Sequence, residues 1–597
     1  MEKYKNRSEV PDKYKWDLHD FFKDDNEFNK MLDDTKILIS DIKNYEGKLK
    51  DSNELYDFLD LYFKCESNIE RLYVYAYLIN DQELGNSISI SRKAKSESLI
   101  RDFSVNTSFF LPELISLNND EYNNLFNNKK LNDYKKLLDD LYKEKEHTLS
   151  KNEEEIISRL ESTLNHFDDM SSTMLNSEHD YGCVNIDGNN EKITSTNYRL
   201  FLKNSNRSVR KSARESYNKV LGRYLASSAM YLNSYVQNNI EVCKLHKFDS
   251  PFNAKLFELN MPKKAYDSLI KTVENNVISL SNYFNLYKKV YNLKDLYQYD
   301  INLELANNNK KYSIEDAQRL CLDAIKPLGD DYYKHFKKVF DNHYIDYAQY
   351  EGKCSGGYSF APLDLNSRIL LSYNYDLESV STIIHEGGHN VHHQFVSENN
   401  PVQYREVSSL VCEVASLTNE CLLSSYLAEN GKTKEEKLSG IANILNVMVS
   451  NLFGATREGH MESDFYDYAM KGNALTQDYM NELTIKSYEK YYGSSVKLDE
   501  YSGYSWARRS HYYMDFYLYN YAFCISVASY VASNILNGNK DMKDKYIKFL
   551  KTGSNVDPID AFKILGADMD DENVYLSAIK YFNSMIDKFN SIYEGGE

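Results

Sequence analysis

Proline and glycine are scarce, 8 and 23 in a chain of 597 residues. So few backbone breakers over such a length exclude a loop-rich or collagen-like chain and favour many long helices. Cysteine is equally sparse: the eight residues, at positions 65, 183, 243, 321, 354, 412, 421 and 524, include no C-x-x-C pair. That scatter excludes a zinc ribbon or a disulfide scaffold and reads as reduced thiols. Positive charge is in deficit, with 71 Lys and Arg against 89 Asp and Glu and a net charge of −18. An acidic chain is poorly built to hold phosphate backbones or anionic lipid, so neither nucleic acid nor membrane is expected as a partner. The opening residues are charged and lack the apolar core of a secretory signal. An apolar stretch at Ile525–Leu536 is interrupted by Ser526, Ser529, Ser533 and Asn534 and is shorter than the ~20 residues of a membrane span. No membrane helix and a cytoplasmic location are the expectations.

What is present is mostly helical pattern. Apolar residues three and four apart recur at Leu55, Phe58, Leu59, Tyr62 and Phe63, and again at Ile156, Ile157, Leu160 and Leu164. Both stripes read as core-facing. The 52 tyrosines fit half-buried positions, where the ring packs and the hydroxyl reaches water. Two segments break the helical period. Residues 183–194 alternate about Asp187 and Gly188, the pattern of a β-hairpin, and suggest a boundary at 195–205. Gly352–Tyr358 followed by Ser367–Tyr373, with Ile369, Leu370 and Leu371 in one apolar run, reads as a turn and a strand ahead of a helix. The expected organisation is an N-terminal helical lobe over 1–200 and a second part over 201–597, closing in a frayed tail at Glu594–Glu597.

His385, Glu386 and His389 form an H-E-x-x-H pattern among Val380, Ile383, Ile384 and Val391, whose spacing is that of a buried helix. Residues four apart lie one turn apart on the same face. Two imidazoles can therefore converge on one ion at ~2.0–2.1 Å, with the glutamate beside the first placed to deprotonate water there. His389 and His393 make a second such pair, but only the first is followed by glutamate. One ion cannot take His385, His389 and His393 together, because the outer two stand ~12 Å apart along the axis. His392 and His393 are expected at the solvent edge or behind the ligands. An extended three-histidine motif would need glycine at position 392 and histidine at position 395, where the chain has His392 and Phe395.

A third ligand is expected from the next helix. Glu406, Glu413 and Glu420 are seven apart and would share one face, so spacing alone does not choose among them. The apolar and small neighbours of Glu413 imply a buried carboxylate, and a buried charge requires a partner. Further on, Tyr513, Tyr517 and Tyr521 recur at four-residue intervals, as on one helical face, with His511 at its entrance. Such donors serve either aromatic packing or the oxyanion of a tetrahedral intermediate.

These motifs together resemble the M3 zinc metallopeptidases and, within them, the oligoendopeptidase F branch. The likeness runs through Arg7–Leu18, Thr196–Leu202 with Arg207–Arg210, Gly352–Tyr358, Leu370–Tyr373, Glu413–Ser416 with Asn419 and Glu420, and Phe549–Gly553 followed by Pro558. The resemblance implies a mainly α fold: a multi-lobed ellipsoid of helices around a deep substrate channel, with a small β element beside the zinc helix. It implies one Zn2+ held by His385, His389 and Glu413, with Glu386 as general base. His511, Tyr513, Tyr517 and Tyr521, with Tyr519 as an alternative to Tyr521, would be the donors to substrate and transition state. Glu420 would orient a ligand histidine, and Leu370–Tyr373 would pair with substrate. The implied activity is internal cleavage of short unstructured oligopeptides; a related exopeptidase or a silent peptide-binding protein are the competing readings. Two segments depart from the family pattern. Gly387 replaces a bulky residue, which suggests local flexibility or a wider subsite, and Phe453–Arg457 lacks the arginine that commonly follows the phenylalanine, which suggests a different subsite preference.

Overall fold

The computed structural model describes residues 4–164, 166–306 and 308–595. The fold is mainly α, as the scarcity of proline and glycine predicts, with two small β elements among the described residues. The chain divides into two compact units, each assembled from three separate stretches. The first comprises residues 1–148, 309–423 and 534–565; the second comprises 149–308, 424–533 and 566–597.

The core of the first unit is apolar and aromatic, running from Trp16 through Phe58, Leu59 and Leu72 to Leu138 and Leu370. The long helix Ser52–Gln82 supplies much of it, and the stripe at Leu55, Phe58, Leu59 and Phe63 is buried as its spacing predicts. A three-stranded sheet lies in the same unit. Its central strand, Arg368–Leu370, pairs in parallel with Ile345–Asp346 and antiparallel with Tyr358–Phe360. The segment before Tyr358 is anchored by Lys353, whose ammonium is fully buried and donates to Asp346 Oδ1 (2.7 Å), Ala348 O (2.7 Å) and Leu371 O (2.8 Å). Arg7 supplies a second cation to Asp346. Three carbonyl oxygens and a carboxylate satisfy the buried lysine and fix the turn to the sheet.

The motif helix, Leu377–Asn399, follows directly; Asp376 caps it by accepting from the Ser379 amide at 2.9 Å. The stretch Lys540–Leu550 packs beside it, with the rings of Phe549 and His392 5.7 Å apart. The Asn400 side chain donates to Lys551 O at 2.8 Å, and Gly553 lies so close under Tyr404 that a β-carbon there would come within 1.7 Å of its carbonyl oxygen.

In the second unit the hairpin forms in the expected register, Cys183 opposite Lys192 and Ile186 opposite Asn189. Asp187 and Gly188 both take positive φ, 52° and 91°, as a two-residue turn of the twisted kind requires. The second apolar stripe behaves differently from its expectation: Ile156 is 59 % and Leu160 51 % exposed, and the side chain of Leu164 lies outside the described residues. Helical spacing marks a face but does not oblige a neighbour to cover it. Residues 434–470 are long and apolar enough, by length and composition, to cross a membrane, but 61 % of the apolar window is buried within the protein, as in a core helix. By length and composition, the expectation of no membrane helix, which rests on Ile525–Leu536, does not hold for residues 434–470. Of the closing tail, residues 596 and 597 lie outside the described residues.

Candidate metal centre and the groups around it

His385, Glu386 and His389 lie on one face of the motif helix, and Glu413 stands at the first turn of the next helix, Glu413–Asn430. The Nε2 atoms of His385 and His389 are each 3.4 Å from Glu413 Oε2, and one ligand atom from each residue falls within 4.8 Å of the others. Ligands held at about 2.0–2.1 Å around a tetrahedral ion are about 3.4 Å apart, whereas good N–H···O bonds are shorter. The donor set, two imidazoles and a carboxylate, and its spacing therefore fit a zinc ion.

Hydrogen bonds from behind hold these side chains and their helices in place. Glu420, two turns beyond Glu413 and buried, places Oε1 2.7 Å from His385 Nδ1, which leaves Nε2 free to ligate. Ser381 donates to Glu420 Oε2 at 3.3 Å, and Ser416 donates to Glu413 Oε2 at 2.8 Å. Asn419 ties the two helices together: its amide donates to Ile384 O at 3.1 Å and accepts from the Tyr332 hydroxyl at 2.9 Å. Tyr332 carried no local signal in the sequence, since its helix, Asp330–Asp341, is far from the motif along the chain. Burial raises the Glu386 carboxyl above the ordinary glutamate value, with the two histidines opposing. Burial opposes but does not prevent a strong rise at His385, whose imidazole faces Glu413 and Glu420, and Glu413 is correspondingly lowered by the two histidines against its own burial. This concentration of negative charge behind two imidazoles is what a divalent cation would neutralise.

Several expectations change here. Glu406 lies in the irregular segment before Glu413, so the three glutamates do not share a helical face. His392 is buried against Phe549 and His393 is half-buried; neither sits at the solvent edge. Gly387 leaves neither a gap nor a wider subsite, because a β-carbon there would come within 2.5 Å of the fully buried Phe336 ring, which takes up the space. Gly388 is required by close approach of the helices: its β-carbon would meet Ser416 Cα at 2.7 Å. The strand Arg368–Leu370 is central, and Leu371 and Tyr373 donate to Asp346 O and Tyr347 O. The edge strands of the sheet are therefore Ile345–Asp346 and Tyr358–Phe360, in place of the expected Leu370–Tyr373.

In the second unit Tyr513, Tyr517 and Tyr521 are not on one helix. Ser510–Tyr513 is a short 3-10 turn, Asp515 and Phe516 take left-handed φ values of 41° and 59°, and the helix begins only at Leu518. The kink brings His511, Tyr517 and Tyr521 together, with ring centroids 6.4, 6.0 and 5.4 Å apart. Tyr513 packs edge-on to Tyr235 at 5.2 Å instead. Tyr519 is buried among Phe252, Tyr266 and Phe523, which makes it a core residue. Burial lowers the His511 imidazole below its ordinary value, with Arg509 adding to the effect. The altered segment Phe453–Arg457 falls at a wide helical turn, Val449–Gly454, joining Lys434–Met448 to Ala455–Met470. Arg457 is buried there, 4.2 Å above the Tyr488 ring.

Residues 200–581 match the model of Peptidase family M3, and residues 113–181 that of Oligopeptidase F. The chain is 31 % identical to Oligopeptidase PepF of Bacillus subtilis, over 98 % of this chain and 88 % of that one. It is 28 % identical to Group B oligopeptidase PepB of Streptococcus agalactiae, over 99 % of both. Among solved structures, one from Chlamydophila abortus superposes with a TM-score of 0.92 at 27 % identity, over 99 % of this chain and 100 % of that one. Oligoendopeptidase-F from Enterococcus faecium matches in fold, with a TM-score of 0.73 at 23 % identity over 96 % and 99 % of the two chains.

Proposed function

The chain belongs to peptidase family M3, on its oligoendopeptidase F branch, and is a metalloendopeptidase acting on oligopeptides; from that premise we propose that it is a zinc enzyme in which Glu386 is the general base. The observation that carries this reading is the convergence of His385 Nε2, His389 Nε2 and a Glu413 oxygen, beside an intact glutamate on the same helix. When bound by these three residues, zinc supplies a Lewis acid and lowers the pKa of water toward neutrality.

The chain's own residues do the rest. Glu386 accepts a proton from the attacking water, and its raised pKa suits a group that must hold that proton. It then returns the proton to the amine that leaves as the C–N bond breaks. Glu420 holds the His385 ring, and Ser416 and Asn419 hold Glu413 and the helix that carries it. The edge strand Tyr358–Phe360 is suited to pairing with an extended peptide backbone. His511, Tyr517 and Tyr521 are proposed as donors to substrate and to the tetrahedral oxyanion, a role supported by their clustering and by the family resemblance. Tyr513, committed against Tyr235, is the weakest member of that set. A boundary of sequence at residue 200, where the match to Peptidase family M3 begins, and a cytoplasmic location, for which eight free cysteines offer support, belong to the same proposal.

The test is a pair of variants. Glu386→Gln is expected to keep its zinc and lose about 10²–10⁴ in kcat, while His385→Ala loses zinc and turnover together. Normal turnover by Glu386→Gln, with metal content measured alongside, would contradict the assignment.

A further inference from the structure

The second unit contains a cavity of about 390 Å3 that none of the proposed catalytic groups lines. Its wall is unusual for a chain of net charge −18. Arg199, Arg457, Arg508 and Arg509 all face it, against one carboxylate, Glu458. Glu458 is shared: Arg457 donates to its Oε1 at 2.7 Å, and Arg509 pairs with its other oxygen. A fifth guanidinium, Arg214, is already neutralised by Asp499 at 2.6 and 2.8 Å. Arg508 forms no ion pair among the described residues; it lies exposed, 5.5 Å over the Tyr198 ring and 5.8 Å over Tyr217.

Two tyrosine hydroxyls on the same wall lack hydrogen-bond partners among the described residues. Tyr198 and Tyr491 are each only 2 % exposed, and neither oxygen is paired among the described residues. A buried hydroxyl left unpaired is costly, so a wall carrying two of them beside surplus guanidinium groups is built for something that accepts hydrogen bonds. Local positive charge inside an acidic molecule also focuses the field into the cavity.

We propose that this cavity seats a carboxylate of the bound oligopeptide, with Arg508 as its free cation and Tyr198 and Tyr491 as neutral donors. Guanidinium and carboxylate match in plane and spacing, and a cavity of this size admits a terminal residue with its side chain. The inference rests on the peptidase reading for the identity of the ligand. It deepens that reading by giving the substrate a chemical preference. The carboxylate comes either from the peptide's C-terminus or from an acidic side chain, and the same chemistry serves both.

Binding measured on the zinc-loaded Glu386→Gln chain separates the possibilities without turnover. The probes are one unstructured peptide as free acid and as C-terminal amide, and the same peptide with an internal glutamate changed to glutamine. Removing the carboxylate that is used should weaken binding roughly tenfold, and Arg508→Gln or Tyr491→Phe in the same background should weaken the carboxylate-bearing peptide by a similar factor while leaving the neutral one unchanged. Sensitivity to amidation assigns the C-terminus; sensitivity to the glutamate change assigns the side chain. Equal affinity for all the peptides, or equal loss for all of them in Arg508→Gln, would overturn the proposal. Hydrolysis by the wild-type chain, run in parallel, reports separately on the peptidase mechanism: its absence would contradict that mechanism while the binding contrast still decides the cavity.

Discussion

Glu420 is the residue on which the metal reading can be pressed hardest without touching a ligand. Its carboxylate lies 2.7 Å from His385 Nδ1 and accepts that ring proton, fixing the tautomer that presents Nε2. Glu420→Gln keeps the shape and removes the charge, so zinc affinity is expected to fall about 10–100-fold, with the fold intact by circular dichroism; unchanged affinity in a chelator competition would remove Glu420 from the site. At this scale the sequence was informative where chemistry repeats locally. H-E-x-x-H is visible because both imidazoles sit one turn apart on a single helix, and Glu413 was favoured by its apolar neighbours. Tyr332, Asn419 as a clamp, and Phe336 under Gly387 were not visible, since each acts across helices and leaves no periodic trace.

Elements obey constraints that single residues do not announce. Gly388 lets the motif helix approach Ser416 at backbone distance. Gly388→Ala should therefore destabilise the chain by about 1–3 kcal/mol, despite the ~1 kcal/mol that alanine gains in helix propensity, and a higher melting temperature would refute the packing account. The kink before Leu518 is a second case. Four-residue spacing of Tyr513, Tyr517 and Tyr521 read as one helix, but Asp515 and Phe516 turn left-handed, and the Phe516 amide donates to Glu462 Oε1 at 2.8 Å. A partner over fifty positions away decides the outcome, and no local window contains it. Glu462 is fully buried, and desolvation pushes its carboxyl up to about 8, the Phe516 bond opposing and Asp515 adding. In the unfolded chain it ionises near 4.3. Between those values the unfolded state holds fewer protons, so stability falls as pH rises through that window, by at most about 1.4 kcal/mol per pH unit. Glu462→Gln keeps an acceptor for Phe516 and lacks the titration. Its unfolding free energy should gain on the wild type from about pH 5 to about pH 8; parallel curves would contradict the assignment.

Across the whole molecule, composition and patterning were enough for a mainly α chain, and concordance of motifs from Arg7 to Pro558 was enough for the family. They did not reveal that each compact unit is woven from three stretches, because discontinuity is a property of long-range contacts. Nor did spacing show that the stripe at Ile156 and Leu160 stays exposed. The family identity and the His385, His389 and Glu413 geometry join in one claim: internal peptide cleavage that depends on zinc. Mass spectrometry of the products formed from unstructured oligopeptides tests it most directly, using the purified chain as isolated, after chelation, and after zinc is restored. The account predicts internal cuts that vanish with the chelator and return with zinc. Cuts that persist in the fully stripped protein, or products trimmed only from one end, would contradict it.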